Sequence, residues 1–142
     1  MLKENHMKIS AVDHITINCR KVQESFEFYE NVLGLSRINT IDMGDHVLHL
    51  YQLADVRLEL IEYKNDQKSI RAGNTDTGLY RHMALRVDDI EEAYRRCRES
   101  GYGINLEPTS IEKLNGQVIM LIKDPNGVEI ELIRDSSRAP ER

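Results

Sequence analysis

Two stretches of the chain follow one plan, and this repeat is the feature that most limits how the chain can fold. The first is DHITINCRKVQESFEFYENVLGL, residues 13–35, and the second is RHMALRVDDIEEAYRRCRESGY, residues 81–102. Each opens with a charged residue and a histidine, continues through an apolar strand-like segment and enters an amphipathic helix after a polar hinge. The repeat therefore predicts two similar modules.

The first module has the pattern of a βαβββ unit. Alternation and β-branched residues predict a strand over about residues 11–18. Apolar residues then recur at helical spacing up to Gly34, which stands where a helix would end. Three further strand segments follow, separated by the turn-forming pairs GD and AD: LSRINTIDMG, HVLHLYQLA and VRLELIEY.

The second module repeats this order. YRHMALRV predicts a strand, and DDIEEAYRRCRESG predicts a helix with Asp88 or Asp89 as its N-cap and Gly101 at its end. Three more strands follow as YGINLEP, GQVIMLIKD and VEIELIR, the last two joined by the turn DPNG. We therefore expect one α+β domain over residues 11–134, built from module 1 (11–63), a polar linker (64–78) and module 2 (79–134).

Composition indicates an ordinary globular protein and excludes several functional classes. The 142 residues are 40% hydrophobic and 30% charged, and the 19 lysines and arginines are scattered within a net charge of −5. A nucleic-acid partner is not expected, because phosphate binding needs a clustered basic face. No apolar run approaches the roughly 20 residues of a membrane span, and no secretory signal is visible. We expect a cytoplasmic protein, without a membrane partner, whose Cys19 and Cys97 are reduced.

The repeat places one pair of residue types in both modules. His14 and His82 occupy equivalent positions in the two opening strands, and Glu59 and Glu131 occupy equivalent positions in the two closing strands. Glu59 lies 45 residues after His14, and Glu131 lies 49 residues after His82. Because strand side chains alternate between faces, each of these polar groups is opposed by apolar neighbours. If the sheets bend into a cup, the four side chains can converge inside it.

Two imidazoles and two carboxylates suit a divalent metal ion such as Zn, Ni, Co, Mn or Fe. Converging carboxylates without a cation would repel each other and take up protons, whereas a bound metal offsets that cost. The sequence therefore predicts His14, Glu59, His82 and Glu131 as metal ligands. The other histidines are expected at the surface or in hydrogen bonds, and four further acids are expected to face solvent: His6, His46 and His49, with Glu62, Glu107, Glu112 and Glu129.

Four segments resemble the glyoxalase I, bleomycin-resistance and extradiol-dioxygenase superfamily, also called vicinal oxygen chelate. They are DHITINC with SFEFYENVLGL, the LEL of the fourth strand, RHMALRVDDIEEA and DPNGVEIELI, and the resemblance covers about residues 11–134. It implies two βαβββ modules that form a cupped mixed sheet with a metal at its base, commonly in a homodimer. It also implies the same four ligands, and the His, Glu, His, Glu set is most similar to that of bacterial glyoxalase I.

The resemblance implies a metal-dependent lyase or isomerase whose small substrate chelates the metal through adjacent oxygens. The metal would act as a Lewis acid, and Glu131, with Glu59 as the alternative, would take and return a carbon-bound proton. Glyoxalase I enzymes of this type place an arginine and an asparagine that bind glutathione where this chain has Asn18 and Tyr63. The carrier thiol is therefore left open.

Two other functions remain open, and the assembly can be predicted. A ring-cleaving Fe(II) dioxygenase would need only three of the four ligands, and a non-catalytic small-molecule binding or antibiotic-resistance protein could use the same cup.

Open sheet edges invite pairing with another chain. Together with the resemblance, this predicts a homodimer in which His14 and Glu59 come from one chain, and His82 and Glu131 come from its partner.

Overall fold

The computed structural model describes residues 7–69 and 72–135 and has the predicted βαβββ order in both modules. Module 1 contains β1 (His14–Asn18), α1 (Val22–Phe26) with a π-helical continuation (Glu27–Val32), β2 (Ser36–Asp42), β3 (His46–Leu53) and β4 (Val56–Tyr63). Module 2 contains β5 (His82–Val87), α2 (Ile90–Ser100), β6 (Ile104–Ile111), a 3-10 turn (Glu112–Leu114), β7 (Gln117–Lys123) and β8 (Glu129–Arg134). The predicted α+β class is confirmed.

Each module forms its own four-stranded mixed sheet. The strand orders are β1-β4-β3-β2 and β5-β8-β7-β6. The first strand of each module runs parallel to the last, and the other neighbours are antiparallel. As a result β1 and β5, the strands that begin with the two repeat histidines, both lie at a sheet edge.

The helices follow their sequence signals, with one departure. In module 2 the Asp89 carboxylate accepts a 3.0 Å hydrogen bond from the Glu92 N–H, and Gly101 ends the helix at φ 78°. In module 1 the predicted helix changes to π geometry in its second half, where the Leu33 N–H donates to the Phe28 carbonyl at 3.0 Å, five residues back. Gly34 follows with φ 75°, a conformation that glycine adopts without steric cost.

One apolar core joins the two modules. It contains helix residues and alternate strand residues of both sheets: Ile17, Phe28, Tyr29, Tyr51, Leu53, Leu58, Leu60, Met83, Ile90, Cys97, Met120, Ile122, Ile130 and Leu132. The rings of Phe28 and Tyr102 meet edge to face at 5.0 Å across the module boundary. Each large apolar side chain buried here stabilises the fold by about 1.5 to 3 kcal/mol. The sheets therefore contribute their helix-covered faces to the shared core, and their polar faces point the other way.

The DPNG turn between β7 and β8 is fixed by the buried carboxylate of Asp124. One of its oxygens accepts hydrogen bonds from the backbone N–H groups of Asn126 and Val128, both at 2.8 Å. The side chain of Asn126 reaches module 1, where its oxygen accepts from the Arg20 N–H at 2.7 Å and its amide donates to the Ser25 hydroxyl at 3.0 Å. The turn thus sets the start of β8, which carries Glu131, relative to module 1.

Two expectations about the chain as a whole can be compared with the structure. Cys19 and Cys97 are free thiols, and Cys97 is fully buried. Across residues 7–69 and 72–135, none of the helices combines the length and apolar character needed to cross a membrane.

Candidate metal centre

In module 1 the structure brings His14 and Glu59 together. His14 is the first residue of β1, and Glu59 lies in the neighbouring strand β4, opposite Thr16. Because the two residues share one face of the sheet, Nε2 of His14 lies 3.0 Å from Oε2 of Glu59. The glutamate is mostly buried and the histidine is partly exposed.

Module 2 repeats this arrangement with His82 and Glu131. His82 is the first residue of β5, and Glu131 lies in β8, opposite Ala84. Nε2 of His82 lies 3.7 Å from Oε1 of Glu131. The two modules therefore each present one imidazole and one carboxylate at the same place on an edge strand and its neighbour.

A single chain does not bring the two pairs into one cluster. Within the part of the chain that the structure describes, no three His, Cys, Asp or Glu side chains are grouped so that they could hold a metal. The strand pattern gives the reason, because both pairs lie on the sheet faces opposite the shared core. One chain thus carries two separate half-sets of ligands.

The chemistry of both half-sets fits a divalent metal, and the spacing of the first half-set fits one as well. Ligand atoms about 2.0 to 2.2 Å from one ion are about 2.8 to 3.6 Å apart when they are neighbours in its coordination shell. The 3.0 Å His14–Glu59 distance lies in this interval, and the 3.7 Å His82–Glu131 distance lies just beyond it. Imidazole nitrogen and carboxylate oxygen are ligands for each of the predicted metals.

Each of these histidines also has a carboxylate at its other ring nitrogen. Nδ1 of His14 lies 2.7 Å from Oδ2 of Asp13, and Nδ1 of His82 lies 3.0 Å from Oε2 of Glu129. The hydrogen bond with His14 and the charge of Arg57 hold the pKa of Asp13 below its ordinary value. Outer carboxylates of this kind orient metal-binding histidines in proteins.

The prediction that Glu129 faces solvent is wrong. Its side chain is only 6% exposed, because it points across β8 toward the His82 ring and meets Arg81 Nε at 3.1 Å and Asn105 Nδ2 at 3.4 Å. Burial alone would raise the pKa of Glu129, but hydrogen bonds with His82 and Asn105 and the charge of Arg81 hold it below the ordinary value. Strand alternation cannot reveal these partners, which come from β6 and the residue before β5.

The other predicted histidine roles agree with the structure where it describes them. His49 is buried on the helix-covered face, with Nε2 3.0 Å from Glu62 Oε1 and its ring edge to face with Phe26. His46 pairs with Asp45 at 2.6 Å. His6 lies outside the described residues. Glu107 and Glu112 are exposed, and Glu62 is partly exposed, as predicted.

The two positions that differ from the glutathione-binding pattern lie on the ligand-bearing face of module 1. Asn18 is the last residue of β1 and Tyr63 is the last residue of β4. The Tyr63 ring contacts that of His46, with 5.3 Å between ring centroids. Asn18 lacks the positive charge of the arginine in that pattern, and Tyr63 has a phenol in place of the asparagine amide.

A cavity of about 690 Å³ lies between the modules of one chain. Module 1 lines it with Val12, Ile15 and Leu53, and module 2 lines it with Leu85 and Ala93. None of the four predicted ligands is among the described residues that line it. This cavity is therefore separate from both half-sets.

Comparisons with known proteins agree with this architecture. The profile of the Glyoxalase/Bleomycin resistance protein/Dioxygenase superfamily matches residues 11–132. A lactoylglutathione lyase of Salmonella typhimurium is 30% identical over 133 residues, which cover 88% of this chain and 94% of the relative. A mitochondrial methylmalonyl-CoA epimerase of Dictyostelium discoideum is 27% identical over 131 residues, 87% of this chain and 78% of the relative.

Among solved structures, a glyoxalase family protein from Enterococcus faecalis superimposes with a TM-score of 0.74 at 26% identity, covering 89% of this chain and 99% of that chain. The matched range extends through both modules. The chain therefore belongs to the Glyoxalase/Bleomycin resistance protein/Dioxygenase superfamily.

Proposed function

We propose that this chain is a metal-dependent lyase or isomerase of the glyoxalase I type. The observation that carries the proposal is the matched pair of His–Glu contacts, His14 with Glu59 and His82 with Glu131, at the edge of each sheet. Further support comes from relatives whose names specify lactoylglutathione and methylmalonyl-CoA, both of which are acyl thioesters. The substrate we propose is small and has two adjacent oxygens.

The complete centre is formed by two chains in this proposal. Each half-set supplies only two ligands, and both half-sets face away from the core of their own chain. The edge strands β1 and β5, which carry the two histidines, have free sides within each described sheet. A second copy that pairs its β5 with the β1 of the first would bring His82 and Glu131 beside His14 and Glu59 and would cover both edges.

The proposed reaction is a proton transfer at carbon. When bound, the metal supplies a Lewis acid that makes the carbon-bound hydrogen beside the chelating oxygens more acidic. Glu131 takes that proton and returns it to the neighbouring carbon. Glu59 then serves chiefly to hold the metal.

Metal content and proton exchange test this proposal together. Protein purified without added metal is assayed for Zn, Ni, Co, Mn and Fe, and is then mixed with lactoylglutathione in D₂O while the C2 hydrogen is followed by proton NMR. We expect stoichiometric metal and enzyme-dependent loss of the C2 signal. Because Asn18 and Tyr63 replace the glutathione-binding pair, the lactoyl thioester of a second thiol is assayed beside it to identify the carrier.

The two alternatives give different results in the same experiment. A binding protein would contain no stoichiometric transition metal and would leave the C2 hydrogen in place. A ring-cleaving dioxygenase would contain iron and would consume oxygen when a catechol is added. Either result would reject the lyase or isomerase.

A further inference from the structure

Each metal-binding histidine of the proposed centre stands beside an ion pair, and the two modules build this pair with reversed polarity. In module 1 the residue before the histidine is Asp13 and the residue opposite it in β4 is Arg57. In module 2 the residue before the histidine is Arg81 and the residue opposite it in β8 is Glu129. The acidic and the basic residue of the ion pair therefore occupy opposite positions in the two modules.

Despite this exchange, both histidines meet the carboxylate of their ion pair through the same ring atom. Nδ1 lies 2.7 Å from Asp13 Oδ2 in module 1 and 3.0 Å from Glu129 Oε2 in module 2. In each pair the arginine contacts the same carboxylate oxygen, with Arg57 Nη2 at 3.8 Å and Arg81 Nε at 3.1 Å. Both modules therefore have the histidine–carboxylate contact. The carboxylate comes from the residue before the histidine in module 1 and from the neighbouring strand in module 2.

We propose that the Asp13–Arg57 and Arg81–Glu129 pairs are two forms of one positioning device. In each form the carboxylate accepts the hydrogen of the neutral imidazole at Nδ1, in competition with the glutamate beside Nε2, and so leaves the Nε2 lone pair free for the metal. The arginine orients the carboxylate and balances its charge. Asp13 and Glu129 are positioning residues, because they touch the histidines and neither the metal nor the substrate.

The two forms differ in burial, which suggests where to test them. Glu129 is 6% exposed and also accepts from Asn105, whereas Asp13 is 74% exposed and Arg57 is 48% exposed. A charge exchange at the exposed module 1 pair can therefore be made with little risk to the fold. A buried arginine in place of Glu129 would carry that risk, since an unpaired buried charge is strongly destabilising.

The decisive experiment reverses the polarity of module 1. The tautomer of His14 is read from the ¹⁵N shifts of the metal-free protein in a pH series, at the alkaline end where these shifts no longer change. The Asp13→Arg variant should lose the Nδ1–H tautomer and bind metal about 10- to 100-fold more weakly. The double variant Asp13→Arg, Arg57→Glu gives module 1 the charge order of module 2. It should regain both the Nδ1–H tautomer and the metal affinity. In module 2, Glu129→Gln should weaken the tautomer preference of His82.

Asp45→Arg is the matched control. Asp45 precedes His46 and contacts its Nδ1 at 2.6 Å, as Asp13 does with His14, but His46 is not a proposed ligand. This variant should alter the His46 tautomer and leave metal affinity unchanged. The inference is overturned if the double variant is no better than Asp13→Arg, or if His14 keeps its tautomer in both.

The metal part of this inference rests on the proposed function, but the tautomer is read in the metal-free chain. Tautomer effects without any metal binding would reject the proposed centre and retain the positioning contact. Metal binding that does not change with the tautomer would support the proposed centre and reject the positioning contact.

Discussion

The phenol of Tyr29 donates a 2.8 Å hydrogen bond to Oδ2 of Asp124, and this bond joins the helix of module 1 to the last turn of module 2 inside the core. Tyr29 is fully buried and Asp124 is 4% exposed. Burial and the neighbouring Asp124 carboxylate raise the pKa of Tyr29 well above its ordinary value. The same carboxylate fixes the turn before β8 through two backbone N–H groups, so the bond connects core packing to the position of Glu131.

Removing this hydroxyl should destabilise the chain. Tyr29→Phe withdraws a donor from a buried carboxylate, so we expect the free energy of unfolding to fall by about 1 to 3 kcal/mol in chemical denaturation. Tyr94→Phe is the matched control, because its hydroxyl donates to the exposed Glu107 at 3.0 Å, and it should cost less than about 0.5 kcal/mol. Equal losses in the two variants would contradict the special role of the buried bond.

Stability should fall at high pH because of Cys19. Burial raises the pKa of the Cys19 thiol from 9.0 to about 11. The unfolded chain therefore loses this proton first, so the stability that the neutral thiol contributes is complete below pH 9 and is lost as pH rises toward 11. Between these limits the stability difference between the native chain and Cys19→Ala should shrink by about 2 to 3 kcal/mol. Parallel pH curves in denaturant titrations would refute this.

Replacing His82 should remove metal and leave the fold intact. The imidazole is a polar group at a sheet edge, and Glu129 keeps Arg81 and Asn105 as partners without it. We expect His82→Ala to lose stoichiometric metal in elemental analysis while its thermal unfolding midpoint stays within a few degrees of the native value. His46→Ala, which changes a histidine outside the proposed centre, should keep its metal. Unfolding of His82→Ala would instead indicate a structural histidine.

The two glutamates should differ in their effect on turnover. If Glu131 moves the proton, Glu131→Gln should lower kcat by at least about 100-fold, the contribution of a positioned general base. Glu59→Gln should act mainly through metal affinity, so that its kcat recovers when metal is added in excess. Steady-state kinetics over a metal titration separates the two effects. The roles are exchanged if Glu59→Gln stays inactive and Glu131→Gln recovers.

The sequence predicts the module order well because each element has a strong local signal. The alternation around His14, the cap at Asp89 and the stops at Gly34 and Gly101 all appear in the structure. The pairing of each histidine with its glutamate follows from the repeat, since parallel β1–β4 and β5–β8 contacts place equivalent residues side by side.

What the sequence does not predict depends on contacts between elements. The burial of Glu129 requires Asn105 from β6 and Arg81, which lies before β5, and no periodicity connects them. The charged residue before each histidine is the one visible signal of the outer carboxylates, but its sign differs between Asp13 and Arg81. The π-helical segment also escapes prediction, because its apolar spacing is that of an ordinary helix.

The central claim is that two chains share each metal centre, and a mixed dimer tests it most directly. Chains carrying His14→Ala and His82→Ala are co-expressed with different affinity tags, and the heterodimer is isolated through both. If the centre is shared, one site of the heterodimer lacks both histidines and the other is intact, so we predict half the native metal content and half the native activity. Each variant homodimer should have neither bound metal nor activity. A verified heterodimer without metal or activity would contradict the account, because each chain would then build its own site.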